Sequence, residues 1–198
     1  MRVTVFDYGA GNLHSLVKAL TAPAWTVSVE TDPARATETG VLVLPGVGAF
    51  ASAVEKLAPG TAAVRTALDR GLPCVGICLG MQLLFDESEE GPGRGLGVFA
   101  GRVRRLQAGR IPQIGWNQLI DVSEPAILRA GLHDVYYANS FACAPDDNRV
   151  VTAWSRHDDD RFPAAVRAGA VLGVQFHPEK SSQAGVRMLH GFLQEMLP

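Results

Sequence analysis

The chain has 198 residues, of which 47% are hydrophobic and 19% charged, and its formal net charge is -2. That length suits one domain, residues 1–198, with a sizeable core, and the near-neutral charge gives no electrostatic basis for binding nucleic acid or a membrane surface. The longest apolar runs are too short to cross a bilayer, and Met1-Arg2-Val3-Thr4-Val5-Phe6-Asp7 reads as a first strand rather than a signal peptide, so a cytoplasmic location is expected.

Strand and helix patterns alternate through the first half. Segments 2–7, 25–29, 41–44 and 72–77 read as strands, and 12–21, 50–57, 60–70 and 79–86 as helices. Such alternation predicts an α/β fold with an open, mostly parallel sheet flanked by helices on both faces. Short β-like stretches near 101–106, 116–120, 134–138, 141–144 and 149–154 predict antiparallel additions to that sheet. The run His157-Asp158-Asp159-Asp160-Arg161 reads as an exposed hairpin tip, and 171–176 as another buried strand. A final helix from Ser181 carries Val186, Leu189, Leu193 and Met196 as one apolar stripe, with His190 structural.

One turn stands out against this frame. Gly76-Ile77-Cys78-Leu79-Gly80 follows an apolar strand and precedes a helical pattern. A sharp strand-to-helix turn strains its central residue and requires small neighbours, the logic of the nucleophile elbow of hydrolases. The helix N-terminus favours a thiolate at Cys78, and the free N–H of Leu79 is available to an oxyanion. Downstream, Gln175-Phe176-His177-Pro178-Glu179 supplies a base and a carboxylate to orient it; in an extended chain residues two apart face the same side. Pro45-Gly46-Val47-Gly48 after the third strand reads by itself as an ordinary β-to-α turn, although its two glycines would let a peptide approach a ligand and aim an N–H at it. The three cysteines lack paired spacing, so no disulfide framework is expected. Cys74 reads as core and Cys143 as a strand residue, with no metal site among them.

These elements together closely resemble the class I (triad) glutamine amidotransferases. The order of Phe6-Asp7-Tyr8-Gly9-Ala10-Gly11-Asn12, Pro45-Gly46-Val47-Gly48, the elbow through Phe85, Gly115-Trp116-Asn117 and Gln175 through Ser182 resembles their imidazole glycerol phosphate synthase glutaminase subunits along essentially the whole chain. The resemblance implies hydrolysis of L-glutamine by Cys78, His177 and Glu179, with an oxyanion site formed by Leu79 and Gly46-Val47-Gly48. It implies glutamine binding by Gln82, Glu90, Asn139, Ser140 and Phe141, and needs no cofactor or metal. It further implies a (β/α)₈-barrel cyclase partner that receives the ammonia in histidine biosynthesis, met by Asn12, Trp116, Asn117, Tyr136 and Lys180. Two positions depart from the family: Gln113-Ile114 stands where His-Met is common, and Asn139 where a histidine precedes the serine. Competing readings are another triad glutaminase, a γ-glutamyl hydrolase acting alone, and a non-enzymatic scaffolding subunit.

Overall fold

The computed structural model describes residues 1–9 and 13–197. Its elements in chain order are β1 (Arg2–Phe6), α1 (His14–Leu20), β2 (Thr26–Glu30), β3 (Val41–Leu44), α2 (Phe50–Leu57), α3 (Thr61–Asp69), β4 (Cys74–Ile77) and α4 (Leu79–Leu83). There follow β5 (Glu87–Ser88), β6 (Gly101–Arg105), β7 (Gln113–Gln118), α5 (Pro125–Ala130), β8 (Asp134–Asn139), β9 (Phe141–Pro145), β10 (Val151–His157), β11 (Asp160–Ala168), β12 (Val171–Val174) and α6 (Ser182–Glu195).

A seven-stranded sheet in the order β10-β11-β12-β4-β3-β1-β2 forms the centre. The five strands from β12 to β2 run parallel, and β10 and β11 are antiparallel additions at one edge. The sheet is buried on both faces, so β3, β4 and β12 are continuous apolar runs rather than alternating ones. Val3, Val5, Val41, Val43, Val75 and Ile77 point to one face, where α1, α5 and α6 cover them. Phe6, Leu42 and Leu44 point to the other, against α2, α3 and α4. The fold expected from the sequence is therefore present, with β2 displaced by one residue.

The second half differs from expectation in one respect. Only β10, with β11, extends the main sheet; β5-β6-β9 and β7-β8 form two separate small sheets. The β12 side of the sheet, where such additions were expected, is occupied by β11, a strand whose near-continuous burial gives no alternation to read. Asp160, placed by sequence at an exposed tip, is instead buried and accepts two hydrogen bonds from the Arg104 guanidinium, at 2.8 and 2.6 Å. The elbow helix also ends three residues early, at Leu83. A returning segment takes its carbonyls: Leu96 N–H donates to Leu83, Val98 N–H to Leu84 and Gly97 N–H to Phe85, at 2.7, 2.8 and 3.2 Å. In α6 the buried stripe includes Met188 and Phe192, whereas Val186 and Met196 are only partly buried. His190 is structural as expected, its Nε2 lying 2.8 Å from the Ala19 carbonyl.

Candidate active site

The carboxyl ends of β3, β4 and β12 lie side by side, which is where open parallel sheets gather ligands. From β4 the chain turns at Cys78 with φ 48 and ψ -103, a conformation rare for any residue but glycine. The flanking glycines are required by contact as well as by the turn. A Cβ on Gly76 would lie 2.6 Å from the Gly80 carbonyl oxygen, and one on Gly80 would strike the Leu44 carbonyl of β3. The helix start is thus pressed onto the sheet, and the Cys78 N–H is fixed to the Val174 carbonyl at 2.7 Å. Cys78 is 6% exposed. It follows β4 directly, so the backbone N–H groups of the first turn of α4, beginning at Leu79, have no partner within the helix.

His177 follows β12 and lies beside Cys78, its Cε1 and the Cys78 Cβ standing 2.9 and 3.0 Å from where a Cβ on Gly46 would sit. Its Nδ1 lies 2.8 Å from Glu179 Oε1. The sequence placed this pair side by side through an extended chain. The structure reaches the same neighbourhood through a 3₁₀ turn at Pro178–Lys180, because proline sits readily at the first position of a helical turn. Burial works against charge on His177, but the hydrogen bonds to Cys78 and Glu179 outweigh it, and its pKa is raised to about 10. Burial pushes Cys74 and Cys143 well up, so both stay protonated and unreactive.

A cavity of about 190 Å³ opens in front of the sulfur, a size for a small metabolite rather than a drug-sized ligand. Gly46, Gly48, Cys78, Leu79, Gln82, Glu90, Ala138, Asn139, Ser140 and Phe141 line it. The residues that the sequence offered for glutamine binding therefore meet in one place. The Glu90 carboxylate is held at the start of α2 by the Phe50 N–H at 3.2 Å. Gln82 and Asn139 both donate to the Phe141 carbonyl, at 3.3 and 3.0 Å, which fixes the opposite wall. Val47 is the exception: its side chain lines a neighbouring cavity with Leu13, Ser15, Glu179 and Lys180.

Beside this second cavity lies an exposed aromatic group. Trp116 and Tyr136 are cross-strand partners of β7 and β8, edge to face at 6.2 Å, and Lys180 Nζ lies 5.8 Å from the Tyr136 ring centre. Trp116 is 58% exposed and Ile114, two residues earlier, 69%. Asn117 does not join them; its amide donates to the Arg156 carbonyl of β10 at 2.8 Å. Asn12 lies outside the described residues. Two residues given no role by the sequence reading prove central to the site. Gln175 donates from Nε2 to Cys78 Sγ at 3.5 Å, and Ser181, fully buried, donates to the His177 carbonyl at 2.6 Å. A buried polar residue in the apolar run before His177 was the only signal for Gln175.

No helix among the described residues is long and apolar enough to cross a membrane. Comparison with known proteins agrees with the geometry. The chain is similar to solved structures titled "Crystal structure of glutamine amidotransferase", with TM-score 0.73, 23% identity and 98% of both chains covered, and "Structure of PurLQS from Thermotoga maritima", with TM-score 0.70, 21% identity and 99% of both covered. At those identities the likeness concerns the fold. Curated relatives are nearer in sequence. The chain is 46% identical over 194 residues to the imidazole glycerol phosphate synthase subunit HisH of Symbiobacterium thermophilum, covering 95% of this chain and 91% of the relative. It is 41% identical over 202 residues to the protein of the same name from Synechococcus sp. (strain JA-3-3Ab), covering 98% and 94%. A family model described as Glutamine amidotransferase class-I matches residues 4–196, and the chain belongs to that family of enzymes.

Proposed function

We propose that this chain is the glutaminase subunit of an imidazole glycerol phosphate synthase, a cytoplasmic enzyme of histidine biosynthesis. It hydrolyses L-glutamine and passes the ammonia to a (β/α)₈-barrel cyclase. The observation that carries the chemistry is Cys78, strained at φ 48 and set beside a His177–Glu179 pair at the edge of a cavity of amino-acid size. The partner is supported by the relatives' name and by the exposed Trp116, Tyr136 and Lys180 beside the site.

In this reading the Cys78 sulfur attacks the side-chain carboxamide carbon of glutamine. The charge gathering on oxygen is met by the Leu79 N–H and by one from Gly46-Val47-Gly48. His177 gives a proton to the departing ammonia, then takes one from water as the thioester is cleaved to glutamate. Glu179 holds the imidazole tautomer and supports its charged form throughout. Glu90 takes the substrate α-ammonium, and Gln82 with the Asn139-Ser140-Phe141 wall holds the rest of the glutamine. Ammonia released into water at neutral pH is protonated and lost as a nucleophile, which is the chemical reason for a docked acceptor.

The test is glutamate release from L-glutamine by the chain alone, with the cyclase, and with cyclase plus its nucleotide substrate, each beside Cys78→Ala. Low activity alone, a large rise in the full mixture and silence in the variant are expected. Full activity alone, unmoved by the cyclase, keeps the thiol chemistry and removes the assigned partner.

A further inference from the structure

Gln175 has no part in the reaction as described above, yet its side chain is fully buried against the reacting sulfur. It follows β12, whose last residue, Val174, also holds the Cys78 N–H through its carbonyl. The same strand end therefore grips the nucleophile twice, once by its backbone and once by a side-chain amide. The amide is oriented by what lies behind it. Gln82 Nε2 points at Gln175 Oε1 at 3.5 Å and at the Phe141 carbonyl at 3.3 Å, and Asn139 Nδ2 donates to that same carbonyl at 3.0 Å. A continuous line of buried amides runs from the sulfur to the wall of the substrate cavity. With its oxygen turned toward the Gln82 donor, Gln175 presents only N–H to Cys78.

We propose that Gln175 is a thiolate-holding residue: its amide N–H stabilises the ionised sulfur and fixes its direction, while Gln82 and the Phe141 carbonyl keep that amide from turning. The argument rests on the glutaminase reading only for the use made of the sulfur. A hydrogen bond to an ionised acceptor is worth more than one to its neutral form, so the donor favours the reactive state of Cys78. A glutamine in contact with the pocket wall through Gln82 also places the sulfur relative to the substrate rather than relative to the sheet alone.

The measurement is the pH profile of Cys78 alkylation by iodoacetamide, mapped by peptide mass on the full chain, for the parent, Gln175→Met and Gln175→Glu. Glutaminase kinetics in the full mixture with the cyclase run alongside. Methionine keeps the volume and removes the donor, so alkylation at neutral pH is expected to slow about tenfold, as suits the loss of one charge-assisted hydrogen bond. Its profile moves to higher pH, Gln175→Glu moves it further, and kcat falls with KM for glutamine within about twofold. A Gln175→Met profile that superimposes on the parent overturns the proposal. Should neither variant fold, the parent decides. The Gln175 side-chain amide protons, followed by NMR, must shift as Cys78 ionises and must lose that shift in Cys78→Ala; their indifference overturns it equally. Alkylation needs neither glutamine nor partner, so a chain that ignores glutamine yet shows the displaced profile fails the functional reading and leaves this one standing.

Discussion

The backbone N–H of His177 donates to the carbonyl of Tyr136 at 2.8 Å. Ser181 closes the link from the other side, its hydroxyl donating to the His177 carbonyl at 2.6 Å and accepting from the Tyr136 N–H at 2.9 Å. His177, the proposed base, is therefore tied directly to β8, the strand that carries Tyr136 of the aromatic group. Removing the hydroxyl in Ser181→Ala leaves the Tyr136 N–H without a partner, which typically costs about 1–3 kcal/mol, while the His177 carbonyl keeps the Lys180 N–H at 3.0 Å. Urea unfolding is expected to show that loss. The rate gained on adding cyclase should fall more than the alkylation rate of Cys78, and an unchanged gain contradicts the link.

Trp116 offers a separable test of the docking face. It is the largest exposed apolar side chain beside the site and meets the Tyr136 ring edge to face. Aromatic anchors of this kind commonly carry about 2 kcal/mol or more of binding energy. Trp116→Ala is expected to weaken cyclase affinity by about thirtyfold in a calorimetric titration, with Cys78 alkylation unaltered. Undiminished affinity would move the partner surface elsewhere.

Gly46 is where the two cavities and the nucleophile converge. A Cβ there would stand 2.9 Å from His177 Cε1 and 3.0 Å from Cys78 Cβ. Neither neighbour is the free end of a flexible chain, so one must yield and the imidazole moves away from the Cys78 sulfur. Gly46→Ala is expected to lower kcat by at least about a hundredfold, comparable with losing an oxyanion donor. Circular dichroism should remain that of the parent. Retained kcat would show that the loop has room to move aside.

The sequence made the parallel sheet legible because β-to-α alternation survives without any long-range information. It made the elbow legible only through its partners: a glycine-flanked cysteine alone is as often a buried turn residue, and His177 with Glu179 downstream supplied the base and carboxylate that distinguish the two. The separate sheets of β5-β6-β9 and β7-β8 were not legible, since strand pairing depends on which edge is already occupied, and β11 occupies it without an alternating pattern. The convergence of Gln82, Glu90 and Asn139 on one cavity was carried by family resemblance, not by periodicity. Gln175 escaped notice because a buried amide in an apolar strand reads as part of the motif around His177; its partner is 97 residues away.

The two departures from the family pattern turn out to be one feature. Gln113 and Asn139 are direct cross-strand partners of β7 and β8, both buried, and each has a side-chain carbonyl oxygen with no hydrogen-bond partner among the described residues. Side chains opposite one another in an antiparallel pair share a face and pack together. The pair should therefore behave as a unit: Gln113→His and Asn139→His each destabilise the chain, and the double variant recovers part of the loss. A double-mutant cycle in thermal unfolding is expected to give a coupling of about 0.5–3 kcal/mol. Strict additivity would mean that the two changes arose independently of one another.

His177 makes the site's stability depend on pH in a defined direction. Burial opposes its charge, yet the hydrogen bonds to Cys78 and Glu179 raise its pKa from 6.5 to about 10. The folded state therefore holds a proton that the unfolded chain releases, so this contribution is complete below pH 6.5 and is lost as pH rises through about 10. Glu179→Gln removes one of the two supports for that proton. The stability difference between parent and Glu179→Gln should be largest below pH 6.5 and shrink steadily toward pH 10. Urea unfolding at several pH values across that window measures it. A difference that grows with pH instead would mean that His177 is neutral in the folded chain, and that Glu179 orients the imidazole without supporting its charge.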